Sequence, residues 1–91
     1  MANHQRELKA KIHITLKNGI LDPQGKTIQH GLEMLGFTGI REIRAGKLIE
    51  IFFDGLSREQ AQQAAENACK KLLANPVIEN YDFEIIKVNK E

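Results

Sequence analysis

The apolar pattern predicts an α+β protein of two layers, with an antiparallel sheet of three or four strands and two helices on one face. Three observations carry this. "KIHITLK" (residues 11–17) alternates apolar and polar residues, as a half-buried strand does. Two later stretches carry apolar residues at helical spacing behind residues that cap helices. Between and after them lie strand-like runs, so the order is βα, β(β), αβ.

In the first strand Ile12, Ile14 and Leu16 point one way and Lys11, His13, Thr15 and Lys17 the other. Asn18-Gly19 then makes a turn. Asp22 is a helix cap and Pro23 fits the first helical turn, where a missing N–H matters least. Ile28, Leu32 and Leu35 recur at i, i+4 and i+7. Gly36 is placed to end this helix, with Phe37 folding back on the last turn. Gly31, which costs about 1 kcal/mol in a helix interior relative to Ala, would let the helix approach the sheet closely.

"IREIRAGKLIEIFFDG" (residues 40–55) is the strand-rich middle. Ala45-Gly46 interrupts it, which leaves two readings open: a hairpin of two short strands, or one long strand bent at glycine. Ile49, Ile51 and Phe53 share a face, opposite Leu48, Glu50 and Phe52. "SREQAQQAAENACKKLLANP" (residues 57–76) opens with a capping box, Ser57 with Gln60. Its apolar stripe is Ala61, Ala64, Ala65, Ala68 and Leu72, and Asn75-Pro76 stops it. "YDFEIIKV" (residues 81–88) is the last strand, with Tyr81, Phe83 and Ile85 on one face.

This order of elements describes a ferredoxin-like sandwich. Residues 1–8 have no apolar period and read as a flexible N-terminal extension, 9–88 as a single domain and 89–91 as a C-terminal tail. The uncovered sheet face would carry Lys11, His13, Lys17, Glu50, Asp82 and Glu84 together with Leu48, Phe52 and Ile86. Apolar residues among charges on an open sheet mark a contact with a partner or a second copy. The plainer alternative is scattered surface apolars. Leu48, Phe52 and Ile86 are therefore the candidate oligomer face.

With 91 residues, 42% hydrophobic and 27% charged, the chain has the composition of an ordinary globular domain. A formal net charge of +1 argues against nucleic acid or an anionic membrane as the main partner. The polar start "MANHQRELKAK" lacks the apolar core of a secretory signal, and no apolar run could span a membrane. Cys69 is the single cysteine, so the chain forms no internal disulfide. A cytoplasmic location is the expectation.

Chemistry is sparse. "NGILDPQGKTIQ" (residues 18–29) holds two glycines followed by Lys26 and Thr27, like a phosphate loop. Five residues separate Gly19 from Gly25, where that loop has four. Asp22 would also set a negative charge beside the phosphates, and Pro23 offers no N–H. His4, His13 and His30 have no metal-ligand spacing. Cys69 reads as a small core or edge residue rather than a nucleophile. Phe52 and Phe53, being adjacent, face opposite ways and make no base-stacking platform. No catalytic, cofactor-binding or metal-binding residue is expected on this chain.

Four motifs resemble one family in order and spacing: "LKNGILDPQGKTI" (residues 16–28), "LGF" (35–37), "RAGK" (44–47) and "LLANPVIENY" (72–81). They are similar to PurS, the small subunit of phosphoribosylformylglycinamidine synthase, over about residues 11–87. The departures are the longer polar start and Ala45, where the family more often has a larger apolar residue. The resemblance implies an assembly subunit of an ATP-dependent carbon–nitrogen ligase in purine biosynthesis. That complex converts formylglycinamide ribonucleotide, ATP and glutamine to the amidine. The implied partners are a second copy, in a dimer or a dimer of dimers, the large synthetase subunit PurL, and the glutaminase subunit PurQ. ATP and magnesium would bind on PurL, and this chain would bridge the two and help ammonia pass between them.

On that resemblance Ile20, Leu21, Asp22, Pro23, Gln24 and Gly25 form a candidate docking loop, stiffened by the proline and the cap. The alternative for Ile20 and Leu21 is a staple tucked under the helix. The competing reading of the whole chain is a ferredoxin-like regulatory domain binding a small metabolite at a dimer interface.

Overall fold

The computed structural model describes residues 7–88. Residues 1–6 of the expected extension (1–8) and the tail 89–91 lie outside them. The elements are β1 (Leu8–Leu16), α1 (Pro23–Met34), β2 (Gly46–Phe53), α2 (Arg58–Ala68), a π-helical turn (Cys69–Leu73) and β3 (Glu79–Lys87). The sheet is antiparallel in the order β2-β1-β3. Leu8, read from sequence as part of the extension, opens β1 opposite Phe53 and Lys87 and is buried.

Strand alternation divides the sheet into two faces. Ile12 lies between Ile49 and Phe83, and Ala10 between Ile51 and Ile85. These residues face α2, whose Ala61 and Ala65 are fully buried with Cys69. Short side chains on α2 let its backbone come close to the β-branched residues of β1. On the other face Lys9 lies between Phe52 and Ile86, Lys11 between Glu50 and Glu84, and His13 between Leu48 and Asp82.

Helix caps follow the sequence. The Ser57 hydroxyl accepts from the Gln60 N–H at 3.1 Å, and the Gln60 side chain accepts from the Ser57 N–H at 2.9 Å. At the end of α1 the Phe37 N–H reaches Leu32 O and the Gly36 N–H reaches Glu33 O. Gly36 sits at φ +96°, which a glycine adopts without strain.

Three placements differ from the sequence reading. The stripe on the second helix was expected to continue to Leu72, but that residue is 82% exposed while Leu73 packs on the core. The cause is the π-helical turn, closed by Ala74 N–H to Cys69 O at 3.1 Å, which adds one residue to the helical count. The middle segment is neither a hairpin nor one bent strand: β2 begins at Gly46, and residues 37–45 form no helix or strand.

The third difference is the position of α1. Only α2 makes extensive contact with the sheet, against β1 and β3. Helix α1 leans instead on the segment before β2, where the Gln29 amide donates to Ile40 O at 3.3 Å. A Cβ at Gly25 would collide with the Ile43 carbonyl, so the glycine needed for close approach is Gly25. At Gly31 a Cβ would meet nothing within 4 Å. The Cα radius of gyration is 17.4 Å, against about 12 Å for a compact chain of this length.

Candidate functional site: the strand-to-helix loop and the open sheet face

Two surfaces stand out. The first is the loop from Ile20 to Gly25. Its organiser is Asp22, buried, whose carboxylate accepts from the Gly25 N–H at 2.8 Å and from the Ala45 N–H at 2.7 Å. The first bond is the helix cap read from sequence. The second ties the loop to the entry of β2, and it was invisible without the tertiary structure. The two N–H groups, Gly25's first, together with the Arg44 charge hold the Asp22 carboxyl below its ordinary range. Arg44 adds a further tie, donating to Leu16 O at 2.6 Å and Lys17 O at 3.2 Å. In sequence its only signal was its place in "RAGK".

Around that anchor the side chains turn outward. Leu21 is 69% exposed, so it does not tuck under the helix, while Ile20 is half-buried. Pro23 and Gln24 are exposed and Gly25 is buried. A cleft of about 220 Å³ lies between the loop and the start of β2, with Thr15, Gln24, Lys47 and Glu79 on its walls. The Lys47 ammonium is 3.6 Å from the Glu79 carboxylate. The phosphate-loop resemblance disappears here. The Gly25 N–H is spent on Asp22, and the Thr27 hydroxyl donates to Pro23 O at 3.0 Å.

The second surface is the sheet face away from α2. Phe52 is 63% and Leu48 53% exposed, with Ile86 half-buried. The Lys9 ammonium bonds Glu50 at 2.9 Å and lies 5.5 Å from the Phe52 ring centre. That bond and the Lys9 charge lower the Glu50 pKa. His13 Nδ1 is 3.4 Å from Asp82. The face thus mixes apolar side chains with neutralised charges, which suits contact with protein.

Among the described residues no group of His, Cys, Asp and Glu could hold a metal ion. Cys69 is buried in the core, and its thiol pKa is raised by burial and by the Glu66 charge. The Tyr81 hydroxyl donates to Glu66 at 2.6 Å, which pushes its pKa up to about 12. No helix of the described residues is long and apolar enough to cross a membrane.

The model of the PurS family, described as phosphoribosylformylglycinamidine (FGAM) synthase, matches residues 9–87. The chain belongs to the PurS family. A curated relative, the PurS subunit of Methanocaldococcus jannaschii, is 44% identical over 80 residues, covering 88% of this chain and 96% of its own. The crystal structure of M. jannaschii PurS, one of the subunits of formylglycinamide ribonucleotide amidotransferase, superposes with a TM-score of 0.79 at 41% identity, covering 90% and 99% of the two chains. A chain of the Thermotoga maritima PurLQS structure superposes with a TM-score of 0.78 at 29% identity over 88% and 98%. PurS membership agrees with the motifs around Asp22 and Arg44.

Proposed function

We propose that this chain is the small assembly subunit of FGAM synthase in purine biosynthesis, joining the glutaminase PurQ to the ATP-dependent synthetase PurL. The observation that carries the reading is the PurS match across residues 9–87, together with the fold shared with the PurS chain of a PurLQS assembly. In this reading the chemistry belongs to the partners. PurL binds ATP, magnesium and the ribonucleotide, PurQ releases ammonia from glutamine, and this chain holds them in register so that ammonia passes between them in the cytoplasm.

The Ile20–Gly25 loop is the docking element, because Asp22 fixes its backbone while Leu21, Pro23 and Gln24 stand outward. Self-association accompanies this role, supported by apolar surface left open on the sheet and on α1. No observation favours the competing reading as a metabolite sensor. Tagged chain mixed with PurL and PurQ should retain both on an affinity column in the presence of ATP, magnesium and glutamine. Retention of neither would refute the proposal.

A further inference from the structure

Strand β3 closes one side of the sheet, and α2 overhangs it. The Lys17 N–H bonds Ile78 O and the Val88 N–H bonds Glu7 O, so even-numbered positions along β3 turn their backbone groups toward β1. Alternation turns those of Tyr81, Phe83 and Ile85 outward. The Arg58 guanidinium marks that outer side, donating to Ile85 O at 2.7 Å. Among the described residues no strand lies past β3. The N–H and C=O groups of Tyr81 and Phe83 therefore stand ready to bond a further strand.

A groove of about 450 Å³ runs beside this edge, lined by Glu59, Gln62, Gln63 and Glu66 of α2 and by Phe83. Two contacts set its ends: Arg58 reaches Ile85 O, and Glu66 accepts from the Tyr81 hydroxyl. The rise from Arg58 to Glu66 along a helix is about 12 Å, and from Tyr81 to Ile85 along a strand about 13 Å. Helix and strand thus run side by side in opposite directions. The space between them has the length of a short added strand and lies on the side where its inward side chains would point.

Both faces of the edge are acidic. Glu59 and Glu66 line the groove, and Asp82 and Glu84 are exposed on the opposite face of β3. Glu66 has Lys70 at 3.6 Å and Asp82 has His13 at 3.4 Å. Glu59 and Glu84, one on each face, have no ion-pair partner among the described residues. A second β3 added about a two-fold axis would bring Asp82 and Glu84 against their own copies, and like charges across strands destabilise the pair. A strand with Lys or Arg on both faces meets the opposite charge throughout.

We propose that an extended basic segment of a partner subunit adds to β3 as a fourth strand. Its backbone bonds Tyr81 and Phe83, its inward side chains lie under α2 between Glu59 and Glu66, and its outward ones lie beside Asp82 and Glu84. Arg58, already on Ile85 O, sets one end of the added strand. The inference rests on the assembly role proposed above and names the surface that one partner occupies.

Hydrogen exchange on the assembled complex tests this. The labelled chain is mixed with PurL and PurQ in ATP, magnesium and glutamine, exchanged, quenched and read residue by residue. Strand addition predicts that the Tyr81 and Phe83 amides, fast in the chain alone, slow by about tenfold or more on assembly, as amides entering a ladder do. The Asp82 and Glu84 amides face β1 and should be slow in both states. A complex in which the Tyr81 and Phe83 amides stay fast overturns the strand addition and leaves the assembly role standing. Failure of the complex to form overturns both. The charge of the segment is tested by Glu59→Lys with Gln62→Lys, exposed positions on α2. At unchanged melting temperature this pair should weaken complex formation by about tenfold, because it sets like charges together. Should the pair fail to fold, Glu84→Gln tests the opposite face in the same way. Unchanged affinity in a folded variant overturns the basic character of the segment.

Discussion

The carboxylate of Asp22 joins residues far apart in the chain, accepting from Gly25 at one oxygen and from Ala45, 23 positions away, at the other. One side chain therefore both starts α1 and fixes α1 to the entry of β2.

Asp22→Ala should lower the unfolding temperature by several degrees, because it removes a cap and leaves the Ala45 N–H without its acceptor. Asp22→Asn keeps one acceptor oxygen and should lose less. The wild-type advantage should also depend on pH. The folded carboxyl titrates below its ordinary value of 3.8. Its contribution is therefore complete above that value and lost as pH falls through the lower, folded one. Thermal melts of the three proteins between neutral and strongly acid pH check both statements. Equal melting temperatures would show that the double tie has no structural weight.

Tyr81 is the only tyrosine, so its ionisation can be followed by ultraviolet difference absorbance. Held by Glu66, the phenol should ionise near pH 12 in the folded protein, against its ordinary 10. A raised folded pKa means that its stabilising contribution is present below pH 10 and lost as pH rises toward 12. Glu66→Gln removes the negative charge and should return the midpoint toward 10. An unchanged midpoint would mean that burial rather than Glu66 sets the shift.

Much of this architecture is legible in the sequence because it is local. Alternation in residues 11–17, the Ser57–Gln60 box and the Gly36–Phe37 ending all depend on neighbours within a few positions, and each appears as read. The exposure of Leu72 depends on a single inserted residue in a helical turn, which periodicity does not reveal. The position of α1 depends on Asp22–Ala45 and Gln29–Ile40, contacts between segments whose separation no local pattern encodes. Of the loop from Ile20 to Gly25 the sequence disclosed the stiffness, through Pro23 and the cap, and not which side chains turn outward.

Gln24 is exposed in the first turn of α1, next to a backbone held by Asp22. Gln24→Ala should leave the melting temperature unchanged and reduce reconstituted, glutamine-dependent synthesis with PurL and PurQ. Full activity of Gln24→Ala, and of Leu21→Ala beside it, would make this loop a connection and nothing more.

The isolated chain should neither hydrolyse ATP nor release ammonia from glutamine. Its described residues hold no metal cluster and no activated nucleophile, and the one cysteine is buried with a raised pKa. Phosphate and ammonia release assays check this. Turnover that follows the pure protein and disappears in Lys26→Ala would restore the phosphate-loop reading.

The most direct test of the assembly role is glutamine-dependent formation of FGAM by PurL and PurQ, measured with and without this chain. The account predicts that glutamine supports synthesis only when the chain is present, whereas free ammonia supports it through PurL either way. The chain's effect would then lie in coupling the partners and not in the ligation itself. Equal glutamine-dependent rates with and without the chain would contradict the account.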